Sequence, residues 1–511
     1  MVAIFQLRLN LTVTTMKLSS SKLTINVLSA VIQVVFTAFL YFFLYRYLLT
    51  TIGVKQLGVW SLILSFSSIA NLANFGITSG LVKFVAEYLT EDDKSKIGKL
   101  ILTSIITMTI LFSVIGFIVF AGAKYFLHFI IEAEFMDVAM QILPYSLISL
   151  SINSVSGVFT SVLEGYQKNY LRNILYVFSG IIMFILVLYF TPNMKLKGVA
   201  IAQTCQAIFI LIVSIIMCLS ISKNNSIRFW RWNTLIFKEL FNYGYKFQIV
   251  SIAQLLYEPT TKMLLSRFGG LSLLGHYEMA SRLVTQFRGL LVNANQVVVP
   301  VIAEANKNNS LLSRQQFFIK MNRIIFILTI PLSTILIVFS PLISKIWIGN
   351  YENEFVISVI ILTVAYMVNN ISNPSYFSCL AEGKLNVLIL SHVAMAIINL
   401  SAGYLLKFVW GGYGIVLGWG LAAVIGSMIN LFYYLKRINL KLKNLYDLTD
   451  KLLLLISFLL LSGTWIIFLF IDRNDNLDLY ISTFIITIIY LICIMLCLRK
   501  NSEIINIIKS K

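Results

Sequence analysis

Leu57-Gly58-Val59-Trp60 is echoed 217 positions later by Leu274-Gly275-His276-Tyr277. The same offset carries Val82-Lys83-Phe84-Val85-Ala86-Glu87 onto Val299-Pro300-Val301-Ile302-Ala303-Glu304. Glu164-Gly165 with Asn169 maps onto Glu382-Gly383 with Asn386, and Gly198-Val199 onto Gly414-Ile415, with the offset changing by one residue. Each landmark is weak alone. Four in one order at a nearly constant spacing read as an internal duplication.

The surrounding sequence decides what is duplicated. Of 511 residues, 59% are hydrophobic and only 12% charged, and the mean hydropathy is +0.87. Soluble globular chains carry about 25% charged residues, so a soluble enzyme, a disordered chain and a nucleic-acid-binding module are excluded. A span needs about 20 mainly apolar residues. Fourteen such stretches are legible, at 23–46, 56–86, 98–122, 138–163, 171–191, 198–221, 245–266, 273–302, 322–347, 355–380, 385–407, 413–435, 451–471 and 479–498. The fold class is therefore an all-α integral membrane protein. Six spans separate each repeated landmark from its copy, so both copies have one orientation. Parallel repeats of this kind imply a pseudo-two-fold axis along the membrane normal. The expected organisation is a tail over 1–22, a six-helix lobe over 23–222, a linker over 223–244, a second six-helix lobe over 245–437, and two extra helices with a tail over 438–511.

Basic residues set the topology. With the N-terminus in the cytoplasm, 27 Lys and Arg fall on inside segments and 9 on outside loops. That asymmetry places both termini in the cytoplasm. It also accounts for most of the net charge of +19 without a nucleic-acid partner. No small-residue cleavage site follows the first apolar run, and Met16 is an alternative start because residues 1–15 add nothing the fold needs. Cys205, Cys218, Cys379, Cys493 and Cys497 all lie in apolar stretches and read as small buried hydrophobes. His128, His276 and His392 lack ligand spacing, so no metal site is expected, and no phosphate-binding loop or other cofactor signature appears.

Charges inside a bilayer cost at least about 2.5–3.5 kcal/mol each, which makes them functional candidates. Here they concentrate in spans 7 and 8: Glu258, Lys262, Glu278, Arg282 and Arg288. Glu258/Lys262 and Glu278/Arg282 are spaced i,i+4 and can pair on one helix face, as ordering ion pairs or as a gate. Arg288 has no acid within helical reach on its own span. It lies about 15 residues, roughly 22 Å, from the outer end of span 8, which directs it to a partner helix, water or an anionic ligand. Span 8 adds Thr285 and Gln286, and its repeat partner, span 2, adds Ser65, Asn71 and Asn74. Two polar helices facing each other would line a hydrophilic cleft, and helix–helix hydrogen bonding is the plainer alternative. Lys83 and Glu87, at the cytoplasmic end of span 2, read first as a snorkelling pair and second as a gate. Arg46 reads as interfacial, or as a contact for an exiting head group. Pro259 predicts a kink in span 7, and Gly76 is the weakest point of span 2.

The chain resembles the polysaccharide branch of the multidrug/oligosaccharidyl-lipid/polysaccharide exporter superfamily, and most of all the O-antigen repeat-unit flippases. The resemblance rests on Leu57-Gly58-Val59-Trp60 leading to Asn74-Phe75-Gly76-Ile77, on Leu163-Glu164-Gly165-Tyr166-Gln167-Lys168-Asn169, and on Leu274-Gly275-His276-Tyr277 through Pro300. It covers essentially the whole chain. It implies a fourteen-helix, two-lobed transporter of the bacterial inner membrane, not an enzyme, moving a polyprenyl-pyrophosphate-linked glycan by alternating access. Lys262, Arg282 and Arg288 would then neutralise the pyrophosphate, Arg being suited to bidentate phosphate contact. Membrane lipid and a glycan polymerase are the other expected partners. A cation-coupled drug or metabolite exporter of the same fold is the runner-up. It is weakened because span 1 has no Asp or Glu. A flippase for a peptidoglycan or teichoic-type precursor, and a non-transporting scaffold of glycan assembly, complete the alternatives.

Overall fold

The computed structural model describes the backbone of residues 20–69, 76–91, 93–224, 232–296, 311–470 and 476–499. Every regular element among them is helical. In chain order they are α1 (Ser20–Ile52), α2 (Val54–Ile69), α3 (Ile77–Thr90), α4 (Lys94–His128), α5 (Met136–Gly165), α6 (Asn169–Asn224), α7 (Thr234–Leu264), α8 (Gly270–Gln296), α9 (Leu311–Ile348), α10 (Asn353–Ala381), α11 (Leu385–Arg437), α12 (Leu448–Phe470) and α13 (Asn476–Arg499). Among the described residues, 7 helices are long and apolar enough to cross a membrane. The protein is a multi-pass membrane protein, and its wall of exposed Leu, Ile and Phe is what lipid-facing surface requires.

Two of these helices exceed any bilayer. α6 has 56 residues, about 84 Å at 1.5 Å per residue against a hydrocarbon core of about 30 Å. It breaks at Lys195, whose φ of 48° leaves the helical region. α11 breaks at Trp410 and Gly411. Each then folds back on itself. Gly198 lies so close to the Phe190 backbone, and Gly414 to that of Leu406, that a Cβ at either would overlap it. Gly418 is equally tight against Gly403. The repeated Gly198-Val199 and Gly414-Ile415 landmarks are thus the glycines that let two hairpins close.

The helix ends beside Glu164-Gly165 and Glu382-Gly383 close with one bond type, although the two closures are 216 positions apart and the glutamates 218: Lys168 N–H donates to the Leu163 carbonyl at 2.9 Å and Lys384 N–H to that of Cys379 at 2.8 Å. This 6→1 closure needs a left-handed residue, supplied by Gln167 at φ 58° and Gly383 at φ 69°. Both glutamates then pair across their helix ends, Glu164 with Arg172 and Glu382 with Arg437. At the N-terminus of α4, Asp93 accepts from the Lys96 backbone N–H at 3.0 Å. That bond holds its carboxyl below the ordinary range.

Span 2 of the sequence reading is two helices, α2 and α3. Gly76, the expected weak point, stands just before α3 at φ 67°. α7 continues through Pro259, and five residues of π-helix, Leu265–Gly269, lead straight into α8. The chain divides into two compact units, one covering Leu18–Glu278 and one containing Met279–Lys511. The first takes in α7 and the opening turns of α8, which the sequence reading gave to the second lobe. The cause is packing: α7 lies against α2, α3 and α4, and α8 begins in close contact with α2.

In the first unit, α3, α4 and α5 enclose a core of Leu81, Val85, Ile97, Leu100, Met108 and Val162. In the second, α9 packs on α10, α12 and α13, and α10 on α11. There Arg323 of α9 bonds Asp447 at 2.8 Å and the fully buried Asp450 at 2.9 Å. Tyr446 donates to Asn322 at 2.8 Å. These contacts fasten the first of the two C-terminal helices.

Candidate functional site

The first unit holds a buried charged network where α1, α2, α7 and α8 meet. Lys262 of α7 is within 3.2 Å of Glu258 and 2.8 Å of Glu278. Glu278 is 1% exposed and accepts hydrogen bonds from Tyr45 at 3.1 Å and from Ser61 at 2.7 Å. Glu258, by contrast, has an exposed side chain. The helical spacing of Glu258 and Lys262 was legible in the sequence. The bridge from Lys262 to Glu278 was not, because it crosses between two helices.

Glycine makes that crossing possible. A Cβ on Gly58 would overlap the Leu271 carbonyl oxygen, and a Cβ on Gly275 would overlap the Val54 carbonyl oxygen. α2 and α8 therefore touch backbone to backbone at this level, which places Ser61 on Glu278. Tyr45 packs tilted against Trp60 at 5.8 Å between ring centroids and closes the network from α1.

The second unit contains a different cationic centre. Arg288 of α8 is half-buried and donates to Asn369 Oδ1 from Nε at 3.3 Å and from Nη2 at 3.0 Å. Its guanidinium stands 4.9 Å over the Tyr366 ring, a cation–π arrangement. Asn369 in turn donates to Ser427 at 2.9 Å, and Ser427 to the Ala423 carbonyl at 2.7 Å. No carboxylate among the described residues lies within ion-pair distance of Arg288. An adjoining cavity of about 20 Å³, lined by Arg288, Ser333, Thr363 and Asn370, has room for roughly one water. The Thr363 hydroxyl beside it is buried and has no partner among the described residues.

The remaining expected site residues are spread out. Arg282 is half-buried one turn beyond Glu278 in α8. Thr285 spends its hydroxyl on the Ser281 carbonyl at 2.6 Å, and Gln286 is half-buried. Ser65 is buried and bonds the Ser61 carbonyl at 2.9 Å. Lys83 and Glu87 form an exposed pair at 3.8 Å, with Lys83 also 4.7 Å over the Phe84 ring. Arg46 is exposed near the end of α1. Asn71 and Asn74 lie outside the described residues. Sequence reasoning missed Tyr45, Tyr366 and Asn369, and took Ser61 only as one of the polar residues of span 2, without its partner. That partner was findable, since Ser61 stands 217 positions before Glu278. The other three carry no signal until the helices are packed. Among the described residues no group of His, Cys, Asp and Glu can hold a metal ion.

Comparison with known proteins adds the family. Residues 15–306 match the family described as polysaccharide biosynthesis protein. The putative O-antigen transporter of Shigella flexneri is 20% identical over 400 residues, covering 75% of this chain and 90% of that protein. The fold is similar to an inward-facing multidrug resistance MATE family transporter of the MOP superfamily, at TM-score 0.70 and 13% identity, covering 79% of this chain and 94% of that one. It is also similar to the lipid II flippase MurJ in an inward closed conformation, at TM-score 0.68 and 16% identity, covering 92% and 97%. With an all-helical membrane fold of this type and a family match spanning more than half its length, the chain belongs to the polysaccharide biosynthesis protein family.

Proposed function

We propose that the protein is a flippase carrying a polyprenyl-pyrophosphate-linked oligosaccharide, an O-antigen-type repeat unit, across a bacterial cytoplasmic membrane by alternating access. In this reading about fourteen spans form two parallel six-helix repeats with two further C-terminal helices, and both termini are cytoplasmic. The reciprocal fit of Gly58 and Gly275, 217 positions apart, supports a two-fold relation between the repeats. The relatives with transporter and flippase names support the class of activity.

The observation that carries the reading is Arg288. A cation within a membrane-spanning helix is costly unless something uses it. Its partners among the described residues are an amide and an aromatic ring, neither of which cancels its charge. It therefore keeps a full positive charge for an anionic group, and a pyrophosphate is such a group on an otherwise neutral passenger. Arg282 is assigned the same duty. Lys262 has the smaller share, because Glu258 and Glu278 already balance it. Ser65, Asn71, Asn74, Thr285 and Gln286 are assigned to the glycan path, and Arg46 with Lys83/Glu87 to its two ends. The prenyl tail stays in membrane lipid.

The test is flipping in proteoliposomes, using a fluorescent polyprenyl-pyrophosphate oligosaccharide and an external quencher. Wild-type protein should translocate it, and Arg288→Ala protein of unchanged stability should be at least tenfold slower. Wild-type rates in both Arg282→Ala and Arg288→Ala would sink the assigned roles. Cation-driven efflux of a small dye, with no flipping of any glycan, would replace the flippase with an exporter.

A further inference from the structure

The first unit contains a cavity of about 200 Å³ that the charged centres above do not touch. Three helix faces build it. α1 contributes Gln33, Thr37 and Tyr41, spaced i, i+4 and i+8 on one stripe; the first half of α6 contributes Tyr176 and Ser179; its second half returns Gln206. The hairpin break at Lys195 is what brings Gln206 back beside Ser179, 3.4 Å from its hydroxyl. Gly180 keeps the space between the two elements tight at one end, since a Cβ there would overlap a Leu40 methyl.

The chemistry of the lining is specific. No lining residue is charged, so the cavity offers nothing to neutralise a phosphate. It concentrates two amides, two hydroxyls and two phenols inside otherwise apolar helices. Gln33 is flanked by Ile32, Val34 and Val35. Amides at such positions are costly to desolvate unless they find partners. Glutamine amides pair donor and acceptor with neighbouring hydroxyls, and tyrosine rings can pack against the apolar C–H face of a saturated ring while their hydroxyls stay polar. A mainly apolar pocket with a few convergent polar groups is the usual form of a small-molecule site.

The geometry points to a neutral-sugar subsite: this cavity takes one uncharged hexose or N-acetylhexosamine unit, held by Gln33 and Gln206 against Tyr41 and Tyr176. The inference rests on the lipid-linked glycan reading and deepens it by dividing the passenger, with the anionic linkage left to the arginines and a sugar ring to the neutral cavity.

The test does not require transport. The full chain in lipid nanodiscs is titrated with methyl glycosides of glucose, galactose and N-acetylglucosamine, followed by saturation-transfer NMR, with methyl glucuronide as the charged comparison. The expected result is saturable millimolar binding of at least one neutral glycoside, at least tenfold weaker in Gln33→Leu and Gln206→Leu. The same glycoside should protect Thr37→Cys, at a half-buried position of the lining, from a water-soluble thiol reagent. The proposal falls if no neutral glycoside binds or protects, if both leucine variants bind as wild type does, or if the glucuronide binds equally well. Glycoside binding in a protein that flips no lipid-linked glycan would retire the flippase and leave the subsite standing.

Discussion

Gly58 and Gly275 stand in a reciprocal contact. The position where a Cβ of Gly58 would lie is filled by the Leu271 carbonyl oxygen, and that of Gly275 by the Val54 carbonyl oxygen. Leu271 and Val54 are themselves 217 positions apart, as the two glycines are. Each helix thus presents the same two residues to the other. A methyl group at either glycine must push two backbones apart, and no flexible side chain can absorb it. Gly58→Ala or Gly275→Ala should each destabilise the protein by about 1–3 kcal/mol, the usual cost of overpacking. The double variant should cost less than the sum, because the first methyl already separates the helices. Thermal unfolding in detergent measures both. Two additive small effects would show that the contact is looser than described.

The Lys262–Glu278 pair predicts an asymmetry of a different kind. Lys262→Met leaves a carboxylate that is 1% exposed with one cation fewer. Breaking a buried pair from one side costs about 3–5 kcal/mol, whereas replacing both partners is often far milder. Lys262→Met should therefore lower the unfolding midpoint markedly, and Lys262→Met/Glu278→Gln should recover most of it. A double variant as unstable as the sum of the singles would mean the two groups do not act as a pair.

Asn369 is the sharpest probe of Arg288. Asn369→Asp keeps the size of the side chain and gives Arg288 a carboxylate in place of an amide. If the guanidinium must stay uncompensated to capture an anion, this substitution should slow flipping at least tenfold while raising or preserving thermal stability. Asn369→Leu should slow it less, through lost positioning alone. Equal rates in Asn369→Asp and wild type would remove Arg288 from anion capture.

Arg323 and Asp450 test how the C-terminal helices are held. Asp450 is fully buried, and Arg323 is its cation. Arg323→Ala should loosen α12 from α9 and expose residues 439–447 to limited proteolysis. Arg323→Ala/Asp450→Asn should restore part of the protection. An unchanged cleavage pattern in the single variant would show that apolar contacts, such as Phe326 with Tyr446 at 4.5 Å, suffice.

The sequence and the folded chain speak to each other unevenly. Helix type and the membrane class were legible because apolar runs of span length have few other readings. Two of the four repeat landmarks were legible and have a local cause, a hairpin glycine at 198 and 414 and a backbone crossing at 58 and 275, while the copy of Val82–Glu87 lies outside the described residues. The pairing of Lys262 with Glu278, and of Arg288 with Asn369, was not legible. Helical spacing proposes partners within one helix, while both of these bonds reach across to a second helix whose rotation the sequence does not state. The neutral cavity was invisible for a related reason. Gln33 and Gln206 are 173 positions apart and line one cavity only because Lys195 turns α6 back.

Asn369 has one more consequence for Arg288. An amide and a serine hydroxyl are neutral, so they orient the guanidinium without balancing it. The bonded set of Arg288, Asn369 and Ser427 ties α8 to α10 and α10 to α11. A motion that separates α8 from α10 must therefore break a charge-assisted hydrogen bond and find the guanidinium a new partner.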